Sequence, residues 1–99
     1  MKEYKITLTG QFLEELDISL YFFQSYMTRR KLYKEMRNIV ASLSIFPERY
    51  SKITENFKTE NIRKLPINKF VVIYEVDNSK DEVNILHIFS QKQDYLNQI

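Results

Sequence analysis

Phe70-Val71-Val72-Ile73-Tyr74-Glu75-Val76, then Asp77-Asn78-Ser79-Lys80-Asp81, then Val83-Asn84-Ile85-Leu86-His87-Ile88-Phe89: this stretch decides the fold. Its first part is rich in β-branched and aromatic residues, which predicts a central strand buried on both faces. The five residues after it have the composition of a hairpin loop, and the third part is the returning strand. Upstream, Ile62-Arg63-Lys64-Leu65 is a short strand expected to end at Pro66, because proline offers the ladder no amide hydrogen. The C-terminal half therefore reads as a three-stranded antiparallel meander.

The N-terminal half changes period. Tyr4-Lys5-Ile6-Thr7-Leu8 alternates as a strand does, with Tyr4, Ile6 and Leu8 on one face. After Gly10, Phe12, Leu16, Leu20 and Phe23 recur at helical spacing with Leu13 beside them. Ile18, Tyr21, Phe22 and Tyr26 widen that face until it exceeds a single stripe. Leu32, Met36, Ile39, Leu43 and Phe46 mark a second helix, capped by Thr28 and stopped by Pro47. The short connection between the two predicts an antiparallel helical hairpin. Residues 47–60 are polar, with Tyr50, Ile53 and Phe57 as anchors and room for one irregular helical turn. Beyond Ser90 the tail is rich in glutamine, with Tyr95, Leu96 and Ile99 free to dock.

The 99 residues suffice for one domain, 1–99, and one core. The predicted class is α+β: an N-terminal strand, a helical hairpin, and a meander forming a small sheet packed on the helices. Two helices cover one face of that sheet. The other face is expected to be bare, the place for a partner or ligand.

Composition narrows the chemistry. The absence of cysteine excludes disulfides, thiol catalysis and thiolate metal sites. A single histidine excludes a metal site built on two, and Glu14, Glu15 and Asp17 read as the solvent edge of a helix, so neither metal nor cofactor is expected. What remains is carboxylate, arginine, lysine, tyrosine and His87. No apolar run is long enough to cross a membrane, and the first residues lack the apolar block of a signal peptide, so a cytoplasmic protein with no membrane partner is expected. The net charge of +2 is too small to imply nucleic-acid binding. Its distribution is uneven: Thr28 to Phe70 carries eleven basic side chains against four acidic ones. Such a field attracts phosphate or an acidic partner. Arg29, Arg30 and Lys31 stand in the expected first turn of the second helix, where the dipole favours acids.

In their order and spacing, Tyr4-Lys5-Ile6, Leu43-Ser44-Ile45-Phe46-Pro47-Glu48-Arg49-Tyr50, Ile62-Arg63-Lys64-Leu65-Pro66, Lys69 to Asp77, Val83 to Ile88 and Gln93-Asp94 resemble the RelE/ParE superfamily of type II toxin–antitoxin toxins. The Ile-Arg-x-Leu-Pro segment and the strand after it look closer to the ParE branch. The resemblance implies a growth inhibitor of the plasmid-stabilisation kind, neutralised by a ParD- or RelB-like antitoxin with an acidic C-terminal segment. Operator DNA would be reached only through that antitoxin. It implies ParE-like inhibition of DNA gyrase by protein–protein binding. The alternatives are a RelE-type, ribosome-dependent messenger RNA endoribonuclease, or a toxin that has lost activity and only binds its antitoxin.

For a nuclease, the resemblance places an arginine three residues before Tyr74, where this chain has Val71, and a second one near Gln93. The groups left for cleavage are His87, Lys69, Arg63, Lys92 and Tyr95. His87 is expected on the face of Val83, Ile85 and Phe89, as a hydrogen-bonded core residue. For target or antitoxin binding, the candidates are Phe22, Tyr26, Arg29, Arg30, Arg63, Lys64 and Lys69.

Overall fold

The computed structural model describes residues 2–21, 26–53, 61–67 and 69–90, with the side chains of 20, 21, 26–29 and 32 left aside. The elements run β1 (Lys5–Leu8), α1 (Gly10–Tyr21), α2 (Tyr26–Ser42), a 3-10 turn (Pro47–Arg49), β2 (Ile62–Ile67), β3 (Phe70–Asp77) and β4 (Glu82–Ser90). They form a four-stranded sheet in the order β1-β4-β3-β2. The meander is antiparallel, and β1 joins it parallel to β4, with Ile6 opposite Val83 and Leu8 opposite Ile85. A parallel pair needs a long crossover, and the helical hairpin is part of that connection.

Thr9 explains where β1 ends and α1 begins. Its Oγ1 accepts the amide hydrogen of Phe12 at 3.2 Å and donates to the carbonyl of Ile85 at 2.8 Å. One side chain thus caps the helix and ties its start to β4. The hairpin loop is equally local. Asp77 accepts hydrogens from Ser79 N, Ser79 Oγ and Lys80 N, and these bonds hold its carboxyl below the usual carboxylate range. Asp81 closes the loop at φ 54°, in the left-handed region that aspartate tolerates better than most side chains.

The main core lies between helices and sheet: Phe12 and Leu16 from α1, Met36, Val40 and Leu43 from α2, and the inward residues of all the meander strands. Val72, Ile73 and Tyr74 are wholly buried, as the continuous apolar run of β3 requires. Tyr74 carries the one hydroxyl in this layer's fully buried set, and it donates to the carbonyl of Pro47 at 2.5 Å. Burial pushes its phenol up to about 12.

Four expectations need correction. Helix α2 starts at Tyr26, so Thr28 is its third residue and not its cap. The earlier start moves Arg29, Arg30 and Lys31 to the fourth to sixth positions, past the amides on which the dipole bears most. Strand β2 runs through Pro66 to Ile67; Pro66 is exposed on a strand whose other neighbour is not another long strand, where a missing amide costs little. The face away from the helices is not bare. Ile62, Val71, Ile73 and Phe89 form a second buried cluster there under Ile53.

That second cluster has a backbone cause. The Ile53 amide donates to the Ile62 carbonyl at 2.8 Å and the Lys64 amide to the Ser51 carbonyl at 3.0 Å, with Lys52 bridged to Arg63. Residues 51–53 therefore lie along the β2 edge as a short added strand. Ile53 is carried over the sheet face by this pairing.

Candidate functional site

Three places hold chemistry among the described residues: the outer sheet face, the free edge of β4, and a groove between β1, α1 and α2.

On β2, Arg63 and Lys64 point to opposite faces, as successive strand residues must. Arg63 is turned inward. Its Nε donates to Asn61 Oδ1 at 2.9 Å, its Nη1 to the carbonyls of Tyr50 at 2.6 Å and Glu48 at 3.0 Å, and its Nη2 meets Glu48 Oε2 at 3.3 Å. Its side chain is 11% exposed. This guanidinium fastens the 3-10 turn and the loop after it. Lys64 lies half-buried on the outer face, across the ladder from Ile73. Lys69 is exposed in the tight connection from β2 to β3, and Arg30 is exposed on α2. Among the described candidate cations, Lys64, Lys69 and Arg30 lie on β2, on the β2–β3 connection and on α2 in turn. Phe22, Gln93, Lys92 and Tyr95 lie outside the described residues, as do the side chains of Tyr26 and Arg29.

His87 is not where alternation puts it. The β3–β4 register shifts between Ile73, which faces His87, and Tyr74, which faces Ile85. The bulge leaves Leu86 as an extra residue, so Val83, Ile85 and Ile88 face the helices while His87 is turned away from them, onto the side of Phe89. Its ring stacks on Phe89 with centroids 5.3 Å apart. Strand β1 ends opposite Ile85, so β4 beyond that point has an open edge, and α1 packs along it. Glu15 of α1 takes up the edge. Its carboxylate accepts the Ile88 amide hydrogen at 3.2 Å and lies 3.1 Å from His87 Nδ1. A carboxylate only accepts, so Nδ1 is the donor in this contact. Sequence reasoning missed this pair because 72 positions separate its members. The only signal was a lone histidine in need of a partner.

The groove opens between β1, α1 and α2, with a volume of about 280 Å³. Its floor is apolar, from Phe12, Leu16, Met36 and Val40, and Leu8 and Tyr33 stand at its mouth, each 45% exposed. Arg37 is its one charged lining residue. Arg30, Lys34 and Arg37 are all exposed and share a stripe of α2 at helical spacing, so one bank of the groove is cationic. No cluster of three or more metal-ligating side chains occurs among the described residues, and no described helix is long and apolar enough to cross a membrane.

This architecture is that of known bacterial toxins. The toxin–antitoxin complex RelBE2 of Mycobacterium tuberculosis contains a chain of the same fold, with a TM-score of 0.65, 17% identity, and coverage of 94% of this chain and 97% of that one. A free arginine double mutant of the Escherichia coli toxin RelE gives 0.57 at 14% identity, covering 97% and 92%. The intact E. coli RelBE toxin–antitoxin complex gives 0.54 at 15% identity, covering 91% and 99%. At such identities the likeness is one of fold. None of the curated proteins matches the chain at significance. The sequence profile of the family described as "ParE toxin of type II toxin-antitoxin system, parDE" matches residues 6–95. The chain belongs to this family, and is a RelE/ParE-superfamily toxin of a type II toxin–antitoxin system.

Proposed function

We propose that this toxin arrests growth by binding a protein target, in the manner of ParE-like gyrase inhibition, and not by cutting RNA. The observation that carries the reading is the outer sheet face. Cleavage by a 2′-hydroxyl needs a base, an acid and cationic stabilisation of the phosphorane on one accessible surface. Here Val71 is 3% exposed within an apolar cluster under Ile53, and Arg63 points to the opposite face, where it is tied to the loop at Glu48 and Tyr50. A surface built this way has no phosphate clamp at that position.

Neutralisation is assigned to a cognate antitoxin with an acidic, partly apolar C-terminal segment. The groove supports this: an apolar floor beside the Arg30, Lys34 and Arg37 stripe fits such a segment in shape and charge. Operator DNA is reached through the antitoxin alone, and the site of action is the cytoplasm.

A second reading, RelE-type ribosome-dependent cleavage, is favoured by one feature, the His87 ring held by Glu15 on that same outer face. Two assays separate the readings. Purified protein added to DNA gyrase should block supercoiling, and added to programmed ribosomes should leave messenger RNA intact. Normal supercoiling together with codon-positioned cuts, abolished by His87→Gln, would reverse the assignment. Binding to the antitoxin with neither effect would leave a toxin that has lost its activity.

A further inference from the structure

We propose that the turn after α2 is the surface that grips the protein target, with Ile45 and Phe46 entering an apolar socket of the target and Arg49 meeting a carboxylate at the socket's rim. The inference rests on the protein-target reading above and adds the surface that performs it. The groove stays with the antitoxin.

The helical period predicts a buried Phe46. The helix instead ends at Ser42, and the turn that follows carries Ile45 and Phe46 out to solvent. They are 44% and 63% exposed, and Phe46 is the most exposed large hydrophobic side chain among the described residues. The backbone behind them is fixed from both sides. The Tyr4 amide donates to the Ser44 carbonyl at 2.7 Å. Buried Tyr74 donates to the Pro47 carbonyl, and Arg63 donates to the carbonyls of Glu48 and Tyr50. An apolar tip held in place before contact gives up little conformational freedom on binding, which is what an anchor residue requires.

Charge defines the rest of the partner. Arg49 closes the same turn; its guanidinium donates to Ser42 Oγ and lies over the Tyr50 ring, 5.1 Å from the centroid. It makes no ion pair among the described residues, whereas Lys2 is taken by Asp81 and Glu48 by Arg63. The positive charge beside the tip is therefore uncompensated, and a carboxylate matches it. Leu13 and Ile18 on α1 are as exposed, at 45% and 61%, but Glu14 and Asp17 stand exposed beside them.

The test measures supercoiling by purified DNA gyrase with added full chain, and growth arrest when the same chain is induced in cells. The double variant Ile45→Ser, Phe46→Ser should need about 100-fold more protein for half-inhibition, and Arg49→Gln about tenfold more, with unchanged circular dichroism spectra. The double variant Leu13→Ser, Ile18→Ser should inhibit as the parent does. Inhibition by the turn variant within threefold of the parent, or an equal loss in the α1 variant, would overturn the proposal. A parent that arrests growth but leaves gyrase active would sink the gyrase reading alone. Growth then judges the surface: the turn variant should no longer arrest it and the α1 variant should, and arrest by the folded turn variant would overturn the proposal.

Discussion

Replacing Tyr74 by phenylalanine tests how the 3-10 turn after α2 is fastened to the sheet. The change removes one oxygen from a side chain with no exposed surface and deprives the Pro47 carbonyl of its 2.5 Å donor. Leaving a buried acceptor unpaired costs about 1–3 kcal/mol, so the variant should be less stable by about 2 kcal/mol at pH 7. The pH dependence sharpens the test. An unfolded tyrosine ionises near 10, whereas the folded chain holds this proton until about 12. Below pH 10 both states are protonated and the stabilisation is whole. Between 10 and 12 the unfolded chain ionises first, which draws the equilibrium toward it. The parent should therefore lose about 1.4 kcal/mol by pH 11 through this one group, and the phenylalanine variant should lose nothing through it. Other titrating groups are shared by both proteins, so urea unfolding of the pair at pH 7, 9 and 11 isolates Tyr74. A gap between the two that stays constant up to pH 11 would refute the argument that burial, and not local strain, governs this hydroxyl.

Arg63→Met keeps the aliphatic stem but frees the acceptors on Glu48, Tyr50 and Asn61; it should destabilise by about 3 kcal/mol in chemical unfolding, with antitoxin affinity of the folded fraction unchanged. Glu15→Ala should cost about 1–3 kcal/mol and speed hydrogen exchange at the Ile88 amide, which then has no acceptor. Val71→Arg, which places an arginine where the resemblance to RelE-like nucleases implies one, should lower stability by more than about 3 kcal/mol by placing an unpaired charge in an apolar cluster, and should produce no RNA cleavage. Cleavage by a folded Val71→Arg protein would show that the outer face had lacked only its cation.

The elements were legible because each one states its burial locally. The run of β3 with no polar gap from Phe70 to Tyr74 admits only a strand covered on both sides, whereas the helical period read through Leu43 and Phe46 to Pro47 overruns α2, which ends at Ser42 and gives way to a turn. The second cluster under Ile53 was not legible. It depends on three residues of a polar connection pairing with an edge, and neither hydrophobic period nor propensity records that event. His87 failed for a sharper reason. A period of two carries a residue to one face only while the ladder is unbroken, and one extra residue at Leu86 reverses every side chain beyond it. The functional residues fared as their interactions dictate. Arg63 looks like an available cation in one dimension because its acceptors stand 13 and 15 positions away. The groove was not foreseen: α1 contributes Phe12 and Leu16, which read as ordinary core positions, and the contribution of Leu8 from β1 needs the parallel pairing with β4.

The short added strand at residues 51–53 bears on how this molecule meets copies of itself. With β2 shielded on its outer side, the sheet presents β1 as its other boundary, a row of just four residues. A lattice of sheets growing by strand addition requires two open ends per molecule. The segment at residues 51–53 covers part of the β2 edge, which disfavours growth of that kind from this side.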